Sequence, residues 1–190
     1  MHFLEKFYFK TLKYDLINKF TYNNTNKLPK LKKVTLNFGS KTADAKQLAS
    51  SLLAFELFAN QKGILTTTKK PNILLKIRKG NPTGCKLTLQ KHNLFNFFGK
   101  TIIEIFPKLK NFSGFNINRK LKKNAFSYEL QDTFSFSELE DHYYLFSNLP
   151  KLDVIIVTTA KNKKELLFLL RSLQFPLKNW FIKANVTQLV

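Results

Sequence analysis

Cysteine is nearly missing from this chain. There is one, Cys85, in 190 residues, which excludes an internal disulfide framework and fits a reducing compartment or a chain that makes no use of thiols. Acids are scarce too, twelve against thirty-two lysines and arginines. Long apolar runs are absent: VIIV at 154–157 and LLFLL at 166–170 match a strand or one helix face, far short of the roughly 18–20 residues of a bilayer span. The three histidines, His2, His92 and His142, do not stand at metal-ligand spacing from one another or from Cys85, so neither a metal nor a cofactor is expected. GKT at 99–101 has Leu94 where a phosphate-binding loop needs glycine, and it lies inside a helical pattern rather than at a strand-to-helix turn. No acid pair falls in a glycine-flanked loop. Catalytic residues are therefore not expected, and the chain reads as a non-enzyme.

The N-terminal stretch MHFLEKFYFKTLKYDLINKF is amphipathic, but it carries Glu5 and Asp15, lacks arginine, and has neither a long apolar centre nor a small-residue cleavage site. It reads as neither a signal nor a transit peptide. A protein working in an organelle would then be made there.

What is present is positive charge on a foldable chain. The net charge is +20, and 44% of the residues are hydrophobic, enough for a core. At this length one domain burying about two-thirds of its unfolded surface is the default. The charge is uneven. Between Lys62 and Lys123 stand fifteen lysines and arginines against one acid, Glu104, a local +14. An AT-rich coding bias would enrich lysine over arginine, of which there are only Arg78, Arg119 and Arg171, but it would not clear acids from one segment. A polyanion partner follows, nucleic acid or an anionic membrane.

Periodicity gives an α+β pattern: helices over 3–20, 43–60, 92–109 and 162–173, and strands over 31–39, 64–70, 85–90 and 151–159, the last read as a buried strand. Residues 71–84 are a Gly- and Pro-punctuated loop, and 111–150 is irregular with a short strand near 126–130. In LKKVTLNFG, Val34, Leu36 and Phe38 share one face, and Thr35 and Asn37 the other. In CKLTLQ, Cys85, Leu87 and Leu89 oppose Lys86, Thr88 and Gln90. Cys85 thus reads as a small buried hydrophobe rather than a nucleophile. Amphipathic helices covering the apolar face would leave the other as a platform of hydroxyls, amides and ammonium groups suited to RNA. Five of the twelve acids cluster at 129–141: Glu129, Asp132, Glu138, Glu140 and Asp141. They read as a solvated loop or as a contact for a basic protein.

KIRKGNPTGCKLTL, residues 76–89, resembles the signature of the universal ribosomal protein L-five family. FTYNNTNKLPKLKKVTLNFG, NQKGILTTTKK, FFGKTIIEIFPKLKNFSGFN and LDVIIVTTAKNKKELLFLLRSLQFPLK resemble further blocks of that family, in its order and spacing. The resemblance implies an α+β fold, a mainly antiparallel sheet with helices packed on one face, spanning residues 1–178, with 179–190 as a C-terminal extension. It implies a structural constituent of the large ribosomal subunit that binds 5S rRNA and large-subunit rRNA in the central protuberance, beside neighbouring large-subunit proteins.

By motif, Asn37, Gln61 and Thr88 would be polar rRNA contacts, with Lys62 and Lys86 neutralising phosphate. Lys76, Arg78, Lys79 and Gly80 of the loop 71–80 would meet P-site tRNA. Gly80 and Gly84 would permit its turn, and Pro82 would stiffen it. Loops around 110–117 and 133–148, with Asn111, Ser113, Glu138, Glu140 and Asp141, would touch a small-subunit head protein across an intersubunit bridge. The chain departs from the family in two loops. It reads NILL at 72–75 where the family has small residues and a glycine, and NAFS at 124–127 in place of a GNYS-like turn. A mitochondrial ribosome in the matrix is the expected location, with a plastid or a bacterial cytoplasm as the alternative. Where 5S rRNA is lacking, the same face would hold large-subunit rRNA or protein. A basic peripheral membrane protein is the remote alternative, while the ribosomal reading implies no membrane.

Overall fold

The computed structural model describes residues 3–40, 44–110, 112–117 and 121–178. Five strands form one antiparallel sheet: β1 (Leu31–Gly39), β2 (Ile64–Thr67), β3 (Pro82–Leu89), β4 (Ala125–Leu130) and β5 (Leu152–Thr158). Their order across the sheet is β2-β3-β1-β5-β4. The helices are α1 (residues 3–19), α2 (Ala45–Ala59), α3 (residues 91–108) and α4 (Lys163–Ser172). α1 and α3 each contain one π turn, Tyr8–Leu12 and Thr101–Ile105.

Local chemistry sets the helix ends. The Asp44 carboxylate accepts from the Lys46 backbone N–H at 3.0 Å and caps α2, which Asn60 closes in a left-handed conformation. At the start of α4, the Glu165 carboxylate turns back to accept from the Lys161 backbone N–H at 3.1 Å and from Asn162 at 3.3 Å. Those bonds are what let a carboxylate sit buried there.

The core lies under one sheet face and is rich in phenylalanine. Below β1 and β3, Phe38 packs on Phe55 at 4.8 Å between ring centroids, and Phe58 stacks on Phe136 at 4.3 Å. Below β4, Tyr128, Phe115, Phe106 and Phe175 form a second aromatic group with centroids 4.8–5.9 Å apart. Such ring pairs add to area burial. The apolar stripe of α1, Tyr8, Leu12 and Leu16, is buried in this core, and the Tyr8 hydroxyl donates to the Pro29 carbonyl at 3.0 Å. Burial, with Tyr22 nearby, pushes the Tyr8 phenol up to about 12. Cys85 is fully buried, its thiol 3.6 Å from the Leu48 carbonyl, and burial pushes its pKa up, as suits an inert core residue.

Four expectations shift. The second strand stops at Thr67 rather than 70, and the third starts at Pro82 rather than 85. Proline suits a first strand position because its ring nitrogen has no ladder bond to donate. The strand 151–159 is buried on one side only: Leu152, Val154 and Ile156 face the core, whereas Asp153, Ile155 and Val157 face outward, Ile155 with 37% of its surface exposed. The region 111–150, read as irregular apart from a short strand near 126–130, has that strand as β4 and adds two short helices, Ser137–Glu140 and Tyr143–Phe146.

Candidate nucleic-acid interface

The outer face of the sheet can be followed in rows. In one row, Asn37 is flanked by Lys86 on β3 and Asp153 on β5. Ile64 lies beyond Lys86, and Glu129 beyond Asp153. The adjacent row reads Thr88, Thr35, Ile155, Ser127, and a third begins Lys33, Val157, Ala125. The face is therefore divided. Its β3–β1 half offers Lys33, Lys86, Asn37, Thr35 and Thr88. Its β5–β4 half offers Asp153, Glu129, Ile155 and Val157.

Four of the expected rRNA contacts come together on the first half. Asn37 and Lys86 are cross-strand partners, and Thr88 is two residues along the same strand. β2 ends opposite Lys86, so the carbonyl of Thr88 has no strand partner on that side. The Gln61 side-chain amide donates to it at 3.5 Å, which draws Gln61 to the same patch. Lys62, next in the chain, is exposed. Lys86 is exposed and Asn37 and Thr88 half-buried, so their polar groups are reachable while their backbones are held in the ladder.

The loop 71–80 is a structured hairpin finger. Asn72 and Ile77 exchange two backbone hydrogen bonds, at 2.9 and 3.0 Å. The Asn72 side-chain oxygen accepts from the Leu74 and Leu75 N–H groups at 3.1 and 3.4 Å. At the base, the Thr68 hydroxyl donates to the Arg78 carbonyl at 2.8 Å, and Gly80 N–H donates to the Thr68 carbonyl at 3.0 Å. Gly80 has φ +90°, which a side chain strains against, so its role is the turn. Gly84 has another role, which corrects the expectation that it shapes the turn. A Cβ there would lie 2.7 Å from the Phe38 carbonyl, so it is glycine for close strand approach. Lys76, Arg78 and Lys79 are exposed.

A family model that describes the C-terminus of the ribosomal L5 family matches residues 82–177. Similarity extends well beyond that segment. The large ribosomal subunit protein uL5m of Reclinomonas americana is 38% identical over 179 residues, covering 93% of this chain and 98% of that protein. The chain belongs to the ribosomal L5 family. Two uL5c proteins, from Oedogonium cardiacum and Stigeoclonium helveticum, are 32% and 33% identical over 178 residues, each at 93% and 98% coverage. The chain is accordingly a ribosomal protein with a structural role and no catalytic one.

In this L5-family chain the acidic region is less free than its composition implied. Glu138 is half-buried and ion-paired with Lys100 of α3. Burial pushes the Glu138 carboxyl up, but the hydrogen bonds from Lys100 and from its own backbone outweigh that and leave it below its ordinary value. Asp132 accepts from the Phe134 backbone N–H at 3.0 Å and caps the turn Thr133–Ser135. Glu140, Asp141 and Ser113 are exposed, whereas Asn111 and the extension 179–190 lie outside the described residues. Sequence reading missed Lys33 as an outward residue, and it missed that Glu129 and Asp153 are neighbours on the same sheet face. Alternation along 125–130 carried the outward placement of Glu129, whereas the apolar Ile155 and Val157 masked the same signal along 152–158.

Proposed function

We propose that this chain is a structural constituent of the large ribosomal subunit that holds 5S rRNA in the central protuberance against the β3–β1 half of its open sheet face. The observation that carries this reading is the juxtaposition of Asn37, Lys86, Thr88 and Gln61 on one outward patch backed by a packed core. Lys33, Lys62 and Lys86 supply the charge that positions phosphate. Asn37, Gln61 and the threonine hydroxyls supply donors and acceptors for riboses and base edges. The finger 71–80 reaches P-site tRNA through Lys76, Arg78 and Lys79. Exposed Glu140 and Asp141, with Ser113, meet a basic small-subunit head protein across an intersubunit bridge, and Glu138 supports them from its pair with Lys100. Residues 1–178 act as one domain with 179–190 as an extension, in a mitochondrial ribosome, in keeping with the relatives' organellar names.

The test is crosslinking of RNA to the protein in salt-washed large subunits, with the variant Asn37→Ala/Thr88→Ala alongside. Crosslinks to 5S rRNA are expected, with binding by the purified variant weakened about tenfold and its melting temperature nearly unchanged. Crosslinks confined to the large rRNA would leave the ribosomal role and remove the 5S assignment. A collapse in stability would make Asn37 and Thr88 structural.

A further inference from the structure

The most exposed apolar residues of the described chain are at the tip of the finger: Ile73 is 91% exposed and Leu74 94%. They are presented rather than left loose. The Asn72 side chain holds the turn through the Leu74 and Leu75 N–H groups. The Ile73 carbonyl accepts from the Lys76 N–H at 3.1 Å, Lys76 takes a left-handed φ of +52°, and Ile77 is buried beneath them. An internally bonded turn loses little freedom on binding, so it displays these side chains at little entropic cost. Five cations surround the pair in sequence: Lys69, Lys70, Lys76, Arg78 and Lys79. The finger between Thr67 and Pro82 carries no acid.

Two aliphatic side chains at the summit of a wholly cationic finger point to a partner that is anionic around its rim and apolar where the tip lands. We infer that Ile73 and Leu74 are an apolar wedge that packs against exposed base faces of the tRNA, while the surrounding cations hold its phosphates. This rests on the reading of the finger as a tRNA contact and adds to it. Lysines and arginines set affinity through counterion release, which is salt-dependent. Aliphatic side chains contacting or parting stacked bases contribute a term that salt does not screen. A protein pocket would ask for fewer like charges around the tip. An anionic lipid surface shares the charge pattern, so it is an arm of the test.

The experiment measures binding of the whole chain to a tRNA transcript, to 5S rRNA, and to vesicles of phosphatidylcholine with anionic phosphatidylglycerol, over a range of salt. Two variants are compared with the unaltered protein, Ile73→Ser/Leu74→Ser and Lys76→Ala/Arg78→Ala/Lys79→Ala. The wedge variant is expected to lose about tenfold in tRNA affinity at every salt concentration, with an unchanged salt slope, an unchanged 5S rRNA affinity and an unchanged melting temperature, since both side chains are exposed. The cation variant is expected to flatten the slope by about two to three. If the cation variant loses tRNA binding and the wedge variant does not, the wedge is wrong and the tRNA contact stands. If neither variant changes tRNA binding, or the unaltered chain does not bind tRNA at low salt, both fail. Vesicle binding that depends on Ile73 and Leu74, with tRNA binding intact, would overturn the RNA assignment of the tip.

Discussion

The two halves of the open sheet face share one backbone ladder and carry opposite chemistry. On β3 and β1 the outward positions are Lys86, Thr88, Thr35, Asn37 and Lys33. On β5 and β4 they are Asp153, Ile155, Val157, Ser127 and Glu129. The boundary runs between Asn37 and Asp153, which are cross-strand partners. In a chain of net charge +20, two neighbouring carboxylates on an outward face are a local reversal of sign. Phosphates laid across β3 and β1 gain from Lys33 and Lys86. The same strand continued over β5 and β4 would meet like charge. On the proposed rRNA reading the face carries its own edge, favouring a polyanion over β3 and β1 and disfavouring it over β5 and β4.

The sharpest way to break this contrast is to reverse the sign of the basic half. Lys33→Glu/Lys86→Glu is expected to lower rRNA affinity by about a hundredfold at moderate salt and to flatten the salt slope by about two, read by filter binding across a salt series. A slope unchanged by the substitution would mean that phosphate sits elsewhere. The opposite half gives a smaller effect of opposite direction. Asp153→Asn/Glu129→Gln is expected to tighten non-specific RNA binding by about threefold and to spread the protected footprint, as read by hydroxyl-radical probing. Weaker binding would show that the carboxylates are themselves contacts. Smallest is the Glu138–Lys100 pair, which tests whether acids away from the face serve the fold. The folded carboxyl titrates below its unfolded value of about 4.3, so its stabilisation is present above that pH and is lost as pH falls through the folded value. Urea midpoints should fall between about pH 6 and pH 3 by less in Glu138→Gln than in the unaltered protein. The difference should be under about 1 kcal/mol, because the pair is partly exposed.

Much of this was legible in the chain itself. Alternation in LKKVTLNFG and CKLTL placed Val34, Leu36, Phe38, Cys85, Leu87 and Leu89 inward and Asn37, Lys86 and Thr88 outward, and the register agrees. The strand over KLDVIIVTT was harder. Ile155 and Val157 are apolar on the outward side, so period-2 alternation was masked and the strand looked buried on both faces. Gly84 looked like a turn glycine because it follows Asn81 and Pro82. Only the 2.7 Å approach to the Phe38 carbonyl shows that a neighbouring strand demands it.

The charge, the faces of β1 and β3, the helix positions and the order of family blocks were all set along the chain. They are properties of spacing: side-chain period, capping residues and the placement of lysine against acid. Neighbourhood was settled only in three dimensions. Folding put Asp153 beside Asn37 although 116 positions separate them, because β5 inserts between β1 and β4 and pairs with both. It paired Glu138 with Lys100, bent Gln61 onto the free carbonyl of Thr88, and raised Ile73 and Leu74 to the tip of a finger. Charge and hydrophobicity are written locally, but a surface is made by strands that meet from distant parts of the chain. Its boundaries appear only when the backbone hydrogen bonds of the sheet have chosen their partners.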